Sequence, residues 1–408
     1  MNLQTLKGFR DFLPLEARKR QYVIDTFKRV FTLYGFEPLE TPVLEYDEVL
    51  SGKYGEEGEK LMYRFMDNGD RKVAMRYDQT VPTARVVAQY KNELVIPFKR
   101  YQIQPVWRAD KPQKGRYREF IQCDIDTIGI DSAIADTEII AVIADAYQAL
   151  GFTTLTILVN DRATFDGLPV QAITIIDKLK KIGKDGVEKE LVEKNVVQSA
   201  KEAKELIENV LQKNPTERLQ EIMATLKKLG LTNVVFSPTL ARGLDYYTGL
   251  IFEVEVPEYT VGSICGGGRY NNLIGMFAGS QIPAVGLAVG FDRTIEAMEE
   301  LKLFPAVFDQ SATKVLITVF SKELLETSLA VSYNLRSKDI SSEIYLGEIK
   351  DKNPLEKQLK YADAKGIPFA IIIGTDEAEK NLVTLKDLKK STQQQLPVDE
   401  VIQLLQTK

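Results

Sequence analysis

The chain changes character twice along its length, and these changes limit the folds it can adopt. Residues 163 to 238 are rich in Lys, Glu and Leu, with apolar residues at helical spacing, whereas strand-like segments lie before and after them. In the last hundred residues, short apolar strands alternate with helical stretches. Because 408 residues are too many for one ordinary core, we expect several domains.

These changes predict an α+β fold with an interrupted core. Residues 1–162 and 239–308 would form the two parts of a strand-rich core, and residues 163–238 a helical insertion between them. Residues 313–408 would form a separate α/β domain after a short linker.

The chain contains no histidine, which restricts the chemistry it can perform. Ser-His-Asp and Cys-His catalysis and histidine-ligated metals are excluded. Cys123 and Cys265 are too few for a disulfide framework or a zinc site made of cysteines alone. An enzyme of this composition must act by positioning and electrostatics, or through a carboxylate or tyrosine. Phosphoryl and nucleotidyl transfers work in this way.

Charge and hydropathy predict a cytoplasmic protein with no membrane partner. The net charge of −5 gives no general attraction to nucleic acid, so any such contact requires local basic surface. No apolar run approaches the roughly 18 residues of a spanning helix, and the N-terminus lacks the build of a signal peptide.

The densest basic segment is "RADKPQKGRYR", residues 108–118. It is either a solvated turn or an arm that binds phosphate, to which arginine is well matched. On the strand that follows, Gln122, Asp124 and Asp126 alternate, so they face one side together and would face whatever the arginines bind. The basic residues are Arg108, Lys111, Lys114, Arg116 and Arg118.

The segment "ARGLDYYTGLIFEVEV", residues 241–256, crowds Arg242, Asp245, Tyr246 and Tyr247 around two glycines. A plain turn before a strand would explain the glycines, and a small-molecule pocket would explain the polar side chains. "GGGRY", from residue 266, fits neither common phosphate-loop pattern, so close backbone packing is the better interpretation. Packing does not explain Arg293 in "AVGLAVGFDR".

The order of these segments resembles the class II aminoacyl-tRNA synthetases. Pro42 in "FEPLETPVLE", residues 108–120, and Arg293 after "VGLAVGFD" look like motifs 1, 2 and 3 of that class. "RYDQTVP", "PQKGRYREF", "RGLDYYTG", "GGGRY" and the opening "KGFRDFLP" resemble the histidyl-tRNA synthetase family. The resemblance covers essentially the whole chain, and "RGLDYYTG" is its most specific part.

The resemblance implies a synthetase catalytic core with an antiparallel sheet, a C-terminal anticodon-binding domain and a homodimer formed at motif 1. The implied substrates are histidine, ATP carrying Mg²⁺ on its phosphates, and histidine tRNA. By the same likeness Arg242 and Arg108 would be catalytic, and Gln113 would approach the tRNA acceptor end. The implied histidine-binding residues are Asp78, Thr80, Arg108, Gln122, Asp126, Arg242, Tyr246, Tyr247 and Tyr270. The implied ATP-binding residues are Arg108, Asp110, Arg116, Phe120 and Arg293, with Asp110 where the family usually has glutamate.

Two other functions remain open from the sequence. The regulatory subunit of ATP phosphoribosyltransferase resembles this family and binds histidine without charging tRNA. An RNA-binding module that kept the fold without catalysis is the other alternative. The phosphate-gripping arginines favour the synthetase.

Overall fold

The computed structural model describes residues 3–113, 115–242, 246–348 and 354–407. Two compact units divide the chain, Met1–Leu303 and Phe304–Lys408. Lys114 and Asp245, singled out in the sequence, lie outside the described residues. Within those residues, none of the helices combines the length and hydrophobicity that crossing a bilayer requires.

The first unit mixes helices with mostly antiparallel strands. Its strands are β1 (Glu37–Pro38), β2 (Leu44–Tyr46), β3 (Arg64–Met66), β4 (Lys72–Met75), β5 (Phe98–Trp107), β6 (Glu119–Ile128), β7 (Thr156–Asp161), β8 (Val234–Phe236), β9 (Leu250–Glu255), β10 (Cys265–Arg269) and β11 (Ala284–Gly290). Its helices are α1 (Pro14–Leu33), α2 (Asp47–Leu50), α3 (Gly55–Leu61), α4 (Thr80–Gln89), α5 (Ala133–Ala149), α6 (Val170–Ile176), α7 (Leu179–Glu193), α8 (Ala200–Leu211), α9 (Glu217–Lys228), α10 (Gly275–Ala278) and α11 (Phe291–Glu300).

The main sheet has the strand order β1-β5-β6-β11-β10-β9-β7-β8. The edge strands β1 and β8 run parallel to their neighbours, and the other pairs are antiparallel. Strands β6 and β11 are far apart in the chain but adjacent in the sheet, so Asp126 lies opposite Gly286. The sheet thus brings the two predicted core parts together. Strands β2, β4 and β3 form a smaller separate sheet.

The helices of the first unit follow from local signals. The side chain of Ser132 caps α5 by accepting a bond from the N–H of Ile134, and the side chain of Thr216 caps α9 through the N–H of Leu219. Helices α1, α5 and α11 then pack against strands of the main sheet.

The predicted helical insertion contains α6 to α9, and apolar residues of α6, α7 and α8 form a core with Leu240, Tyr247 and Ile251. Helix α9 packs instead on α5. The same stretch also contains β8, which pairs with β7 in the main sheet. A prediction of helix alone therefore misses this strand, because three apolar residues at the end of a helical stretch carry little strand signal. The insertion is packed on the segment that flanks Arg242.

The second unit is a small α/β domain. Its strands are β12 (Val315–Ile317), β13 (Ser342–Ile344), β14 (Phe369–Ile372), β15 (Val383–Asp387) and β16 (Thr392–Leu396), in the order β13-β12-β14-β15-β16. Its helices are α12 (Leu325–Arg336), α13 (Pro354–Ala364), α14 (Thr375–Glu379) and α15 (Val398–Thr407). The predicted fold class, an antiparallel α+β core followed by an α/β domain, is confirmed.

Candidate active site

A cavity of about 360 Å³ opens on one face of the main sheet. Every predicted site residue except Gln113 lies in its lining, although these residues come from five separate segments of the chain. Gln113 instead pairs with Arg116 through backbone hydrogen bonds in the loop between β5 and β6. The lining includes Asp78, Thr80, Arg108, Asp110, Arg116, Phe120, Gln122, Asp126, Arg242, Tyr246, Tyr247, Tyr270 and Arg293.

Small residues on β10 and β11 form the floor of this cavity. Gly266 lies opposite Ala288 and Gly268 opposite Gly286, so the side-chain positions of these four residues share one face of the sheet. Asp126 on β6 shares that face, since it lies opposite Gly286. These small residues therefore leave space above the strands for side chains of neighbouring segments.

Arg242 occupies part of the space that the glycines leave. A Cβ atom at Gly266 would lie 1.3 Å from its Nη1 atom, so no other residue fits at that position without moving the guanidinium. Nη1 lies 3.4 Å from both the carbonyl oxygen of Phe252 and Oε1 of Glu253. Burial lowers the pKa of Arg242, but the nearby Tyr247 and Glu253 raise it by more, and the side chain stays a cation.

Asp126 is the buried carboxylate of the cavity. Tyr270 donates a hydrogen bond to its Oδ1 atom, and Nη2 of Arg100 lies 2.5 Å from its Oδ2 atom. A Cβ at Gly286 would lie 1.8 Å from Oδ1, so this glycine also provides necessary room. Burial raises the pKa of Asp126 above its ordinary value, although Arg100 and Tyr270 lower it in part.

Arg100, which contacts Asp126 but does not itself line the cavity, is a residue that the sequence interpretation missed. It is fully buried, and it belongs to a polar row on β5 that faces the predicted polar row on β6. The alternation of Arg100, Gln102 and Gln104 is the signal that reveals it, since such a period places polar groups on one strand face. The paired residues are Arg100 with Asp126, Gln102 with Asp124, and Gln104 with Gln122.

A second carboxylate, Asp78, closes another side of the cavity. Its Oδ1 atom accepts hydrogen bonds from the hydroxyl of Tyr54 at 2.7 Å and from the N–H of Val81 at 3.2 Å. Thr80, which lies between Asp78 and Val81 in the sequence, is the first residue of α4. Burial raises the pKa of Asp78, whereas its hydrogen bonds lower it in part. Tyr54, also in the lining, was not predicted from the sequence.

Arg108 lies between two aromatic rings. Its guanidinium carbon is 4.4 Å from the ring centre of Tyr77 and 5.2 Å from that of Phe120. Its Nε atom donates to the carbonyl oxygen of Tyr77 at 3.0 Å. These contacts fix the side chain and leave terminal nitrogens for an anion.

Two further arginines stand at the outer part of the cavity. Arg116 is more than half exposed, and its nearest carboxylate oxygen, on Asp110, is 3.8 Å away. Arg293, in the first turn of α11, donates through Nη1 to the carbonyl oxygen of Ser263 at 3.0 Å. Neither guanidinium is enclosed by a close ion pair among the described residues, so both are available to a phosphate.

Comparison with known proteins decides the family. The family model described as histidyl-tRNA synthetase matches residues 8–294, and the model described as anticodon binding domain matches residues 314–408. The chain belongs to the histidyl-tRNA synthetase family. The expectation from the sequence motifs is confirmed.

Individual relatives agree with this assignment. The histidine–tRNA ligase of Cytophaga hutchinsonii is 40% identical, with 98% of each chain covered. The crystal structure of histidyl-tRNA synthetase from Nostoc sp. PCC 7120 has a TM-score of 0.86 and 30% identity, and the match covers 100% of this chain and 99% of that one.

A Bacillus halodurans structure shows that the fold alone does not decide the activity. It is described as an ATP phosphoribosyltransferase regulatory subunit/histidyl-tRNA synthetase. Its TM-score is 0.71 at 22% identity, and the match covers 88% of this chain and 97% of that one. The activity therefore depends on the residues of the cavity.

Proposed function

We propose that this protein is a histidine–tRNA ligase, which activates histidine with ATP and transfers it to the 3′ end of histidine tRNA. One observation carries the proposal. A buried carboxylate, Asp126, and the cations Arg108 and Arg242 line one cavity of about 360 Å³. A site of this kind binds an imidazole at one end and a polyphosphate at the other. The relatives named histidine–tRNA ligase support the same activity.

In the first step, a carboxylate oxygen of histidine attacks the α-phosphorus of ATP. The bond from that phosphorus to the bridging oxygen breaks, and pyrophosphate leaves with the electron pair. Arg242 and Arg108 stabilise the charge that develops on the α-phosphate and hold the attacking carboxylate. No protein side chain has to accept a proton, because the nucleophile is already ionised.

Asp126 and Tyr270 select the imidazole. The carboxylate accepts a hydrogen bond from an imidazole N–H, and a substrate without that donor leaves a buried charge poorly compensated. Tyr246 and Tyr247 enclose the ring from the side of Arg242. At the other end of the amino acid, Asp78, Thr80 and Gln122 hold the α-ammonium group.

The nucleotide lies across the glycine floor. Phe120 stacks on the adenine, Asp110 contacts its edge, and Arg116 and Arg293 hold the γ-phosphate. The partly exposed state of Arg116 suits a residue that closes on its ligand, since a free guanidinium reorients at little cost.

We propose that Mg²⁺ enters with ATP. Among the described residues there is no group of three or more Cys, Asp or Glu side chains with the geometry to hold a metal ion. Phosphate oxygens would supply most of its ligands, and the cavity lining also contains the carboxylates of Asp110 and Asp292, of which Asp292 is paired with Arg10 and Arg20. The ion would offset the negative charge of the phosphates.

In the second step, a hydroxyl oxygen of the terminal tRNA ribose attacks the carbonyl carbon of the adenylate. The bond from that carbon to the phosphate oxygen breaks, AMP leaves with the electron pair, and the hydroxyl proton passes to the departing phosphate. Gln113 lies in the loop between β5 and β6, outside the cavity lining, where a macromolecule can approach it. The second unit would read the anticodon, in keeping with its match to an anticodon binding domain. We place the reaction in the cytoplasm.

We further propose that the enzyme is a homodimer. Leu44 and Tyr46 on β2 share one face of the small sheet with Phe65 on β3, and their exposed fractions are 40%, 53% and 45%. An apolar sheet face of this kind is typical of a surface that a partner covers.

Histidine-dependent exchange between ATP and labelled pyrophosphate tests the proposed activity. We expect exchange with histidine and with none of the other amino acids. Histidine binding without exchange would instead support a regulatory paralogue, and no response to histidine would contradict both.

A further inference from the structure

Arg10, near the N-terminus, connects two segments that carry proposed phosphate ligands. Its guanidinium carbon lies 3.2 Å from the ring centre of Tyr117, and its Nη2 atom lies 2.9 Å from Oδ1 of Asp292. Its side chain is 26% exposed, so the contacts are largely shielded from solvent. A planar guanidinium is suited to this arrangement because it stacks on a ring and donates within its own plane.

The two partners of Arg10 are chain neighbours of the two γ-phosphate arginines. Tyr117 follows Arg116, and Asp292 precedes Arg293. Arg116 and Arg293 themselves come from the loop after β5 and from the start of α11, which are far apart in the chain. Arg10 joins these two segments without itself lining the cavity, beside a direct contact at 3.5 Å from the hydroxyl of Tyr117 to Oε1 of Glu296 on α11.

The backbone around Arg10 is attached to the same loop. The N–H of Arg118 donates to the carbonyl oxygen of Gly8 at 2.9 Å, and Nη1 of Arg118 donates to that of Lys7 at 3.3 Å. A Cβ at Gly8 would lie 2.8 Å from Cγ of Arg118, and the φ of Gly8 is +91°, so the segment lies very close to the loop. The position of Arg10 is thus set by its own segment as well as by its partners.

Arg20 contacts the same carboxylate as Arg10 and can be compared with it. Its Nη1 atom lies 2.6 Å from the same Oδ1 of Asp292, and its guanidinium stacks on Phe12 at 3.9 Å. Arg20 therefore also contacts Asp292, but the ring on which it stacks is that of Phe12 and not that of Tyr117. Only Arg10 spans both partners among the described residues.

We propose that Arg10 is a positioning residue for ATP, which sets the spacing of Arg116 and Arg293 by holding Tyr117 against Asp292. The inference rests on the proposed function for the identity of the ligand. A phosphate held by two arginines from separate segments depends on their mutual position, because a displaced donor loses most of its charge-assisted hydrogen bond.

The test measures the Kd for ATP by calorimetry, together with the Kd for histidine, on the intact protein and on Arg10→Gln. We expect the Kd for ATP to rise roughly tenfold, as when one charge-assisted contact is weakened, with the Kd for histidine unchanged. Arg10→Lys keeps the charge but not the planar stack, and it should restore only part of the affinity. Because binding is measured directly, the result does not depend on whether the protein forms an adenylate.

Arg218→Gln is the matched control. Arg218 is 33% exposed and lies 2.7 Å from a carboxylate oxygen of the buried Asp136, but it is outside the cavity lining. Arg218→Gln should leave the Kd for ATP and the Kd for histidine unchanged even if its melting temperature falls. An unchanged Kd for ATP in Arg10→Gln, or equal losses for ATP and histidine, would overturn the proposal.

Tyr117→Leu removes the ring and leaves the pair between Arg10 and Asp292 in place. We expect it to weaken ATP binding as Arg10→Gln does, and the double variant to be no worse than either single variant. Additive losses would show that Arg10 and Tyr117 act separately, against the proposal. If Arg10→Gln fails to fold, Tyr117→Leu alone still tests the proposal, since it should raise the Kd for ATP and leave the Kd for histidine unchanged.

Discussion

The guanidinium of Arg242 fills the volume above Gly266. Its Nη1 atom lies 1.3 Å from the place where a Cβ of residue 266 would stand. The "GGG" of this strand is thus required for room above the sheet as well as for packing within it.

Gly266→Ala should therefore impair the function of Arg242. The added methyl group displaces the guanidinium, and the adenylation rate should fall by on the order of 10²–10³, as when one donor to a transition-state charge is lost. Pyrophosphate exchange measures this. Gly249→Ala is the control, since its Cβ would meet Cδ of Arg269 at 3.4 Å, an ordinary contact. Equal rates in the two variants would contradict the assigned role of Arg242.

Tyr270→Phe should change how histidine binding depends on pH. Tyr270 donates to Asp126 and lowers its pKa, so removing the hydroxyl raises that pKa further above its already raised value. The ionised carboxylate of Asp126 accepts the charge-assisted hydrogen bond from the imidazole N–H, so affinity is lost as pH falls through the pKa of Asp126. In the variant this loss should begin at a higher pH. Free histidine titrates in the same way whichever protein is present. Its contribution therefore cancels when the Kd of the variant is divided by the Kd of the parent at each pH.

Asp177→Asn should make stability less dependent on pH. Asp177 accepts a hydrogen bond at 2.8 Å from the N–H of Ala241, next to Arg242. Burial and the nearby Glu253 raise its pKa to about 6, although the bond from Ala241 and the charge of Arg242 lower it in part. Because the folded state holds the proton more tightly than the unfolded chain, ionisation of Asp177 costs stability as pH rises from about 4 to 6.

Asparagine keeps the acceptor oxygen and cannot ionise. The melting temperature of the variant relative to the parent should therefore increase between pH 4 and pH 7 and stay constant above that range. Asp177 is exposed to solvent, so the increase should be small. A relative melting temperature that falls with pH would contradict the raised pKa.

Phe65→Lys should yield a monomer. Phe65 shares an exposed apolar face with Leu44 and Tyr46, and a charge on that face would have to be desolvated in a dimer. Light scattering after size-exclusion chromatography measures the mass at micromolar concentration. Leu229→Lys, at a position 63% exposed on the helical insertion, should leave the mass unchanged. A dimer that persists in Phe65→Lys would place the interface elsewhere.

Much of the site could be predicted because its chemistry is concentrated in short segments. Arg108, Arg116 and Phe120 lie within one hairpin, and the alternation of polar residues along β6 by itself predicts a common face for Gln122 and Asp126. The resemblance to the family then joins these residues to Arg242 and Arg293.

The remaining features depend on register and on long-range contacts, which local sequence does not encode. That Gly286 makes room for Asp126 follows from the pairing of β6 with β11, and a shift of one residue would reverse which side chains face the cavity. The contact of Arg10 with Tyr117 likewise requires the N-terminal segment to lie on the loop after β5. Neither segment alone indicates it.

Arg100 also determines how the amino-acid preference of such an enzyme can change during evolution. The side chain is fully buried, and Asp126 is its nearest carboxylate, at 2.5 Å. Replacing Asp126 alone to accept a substrate without an imidazole N–H would leave a buried cation without its nearest counterion, at a cost of roughly 3–5 kcal/mol. A new specificity therefore requires paired substitutions on neighbouring strands, and single mutational steps away from histidine pass through a destabilised protein.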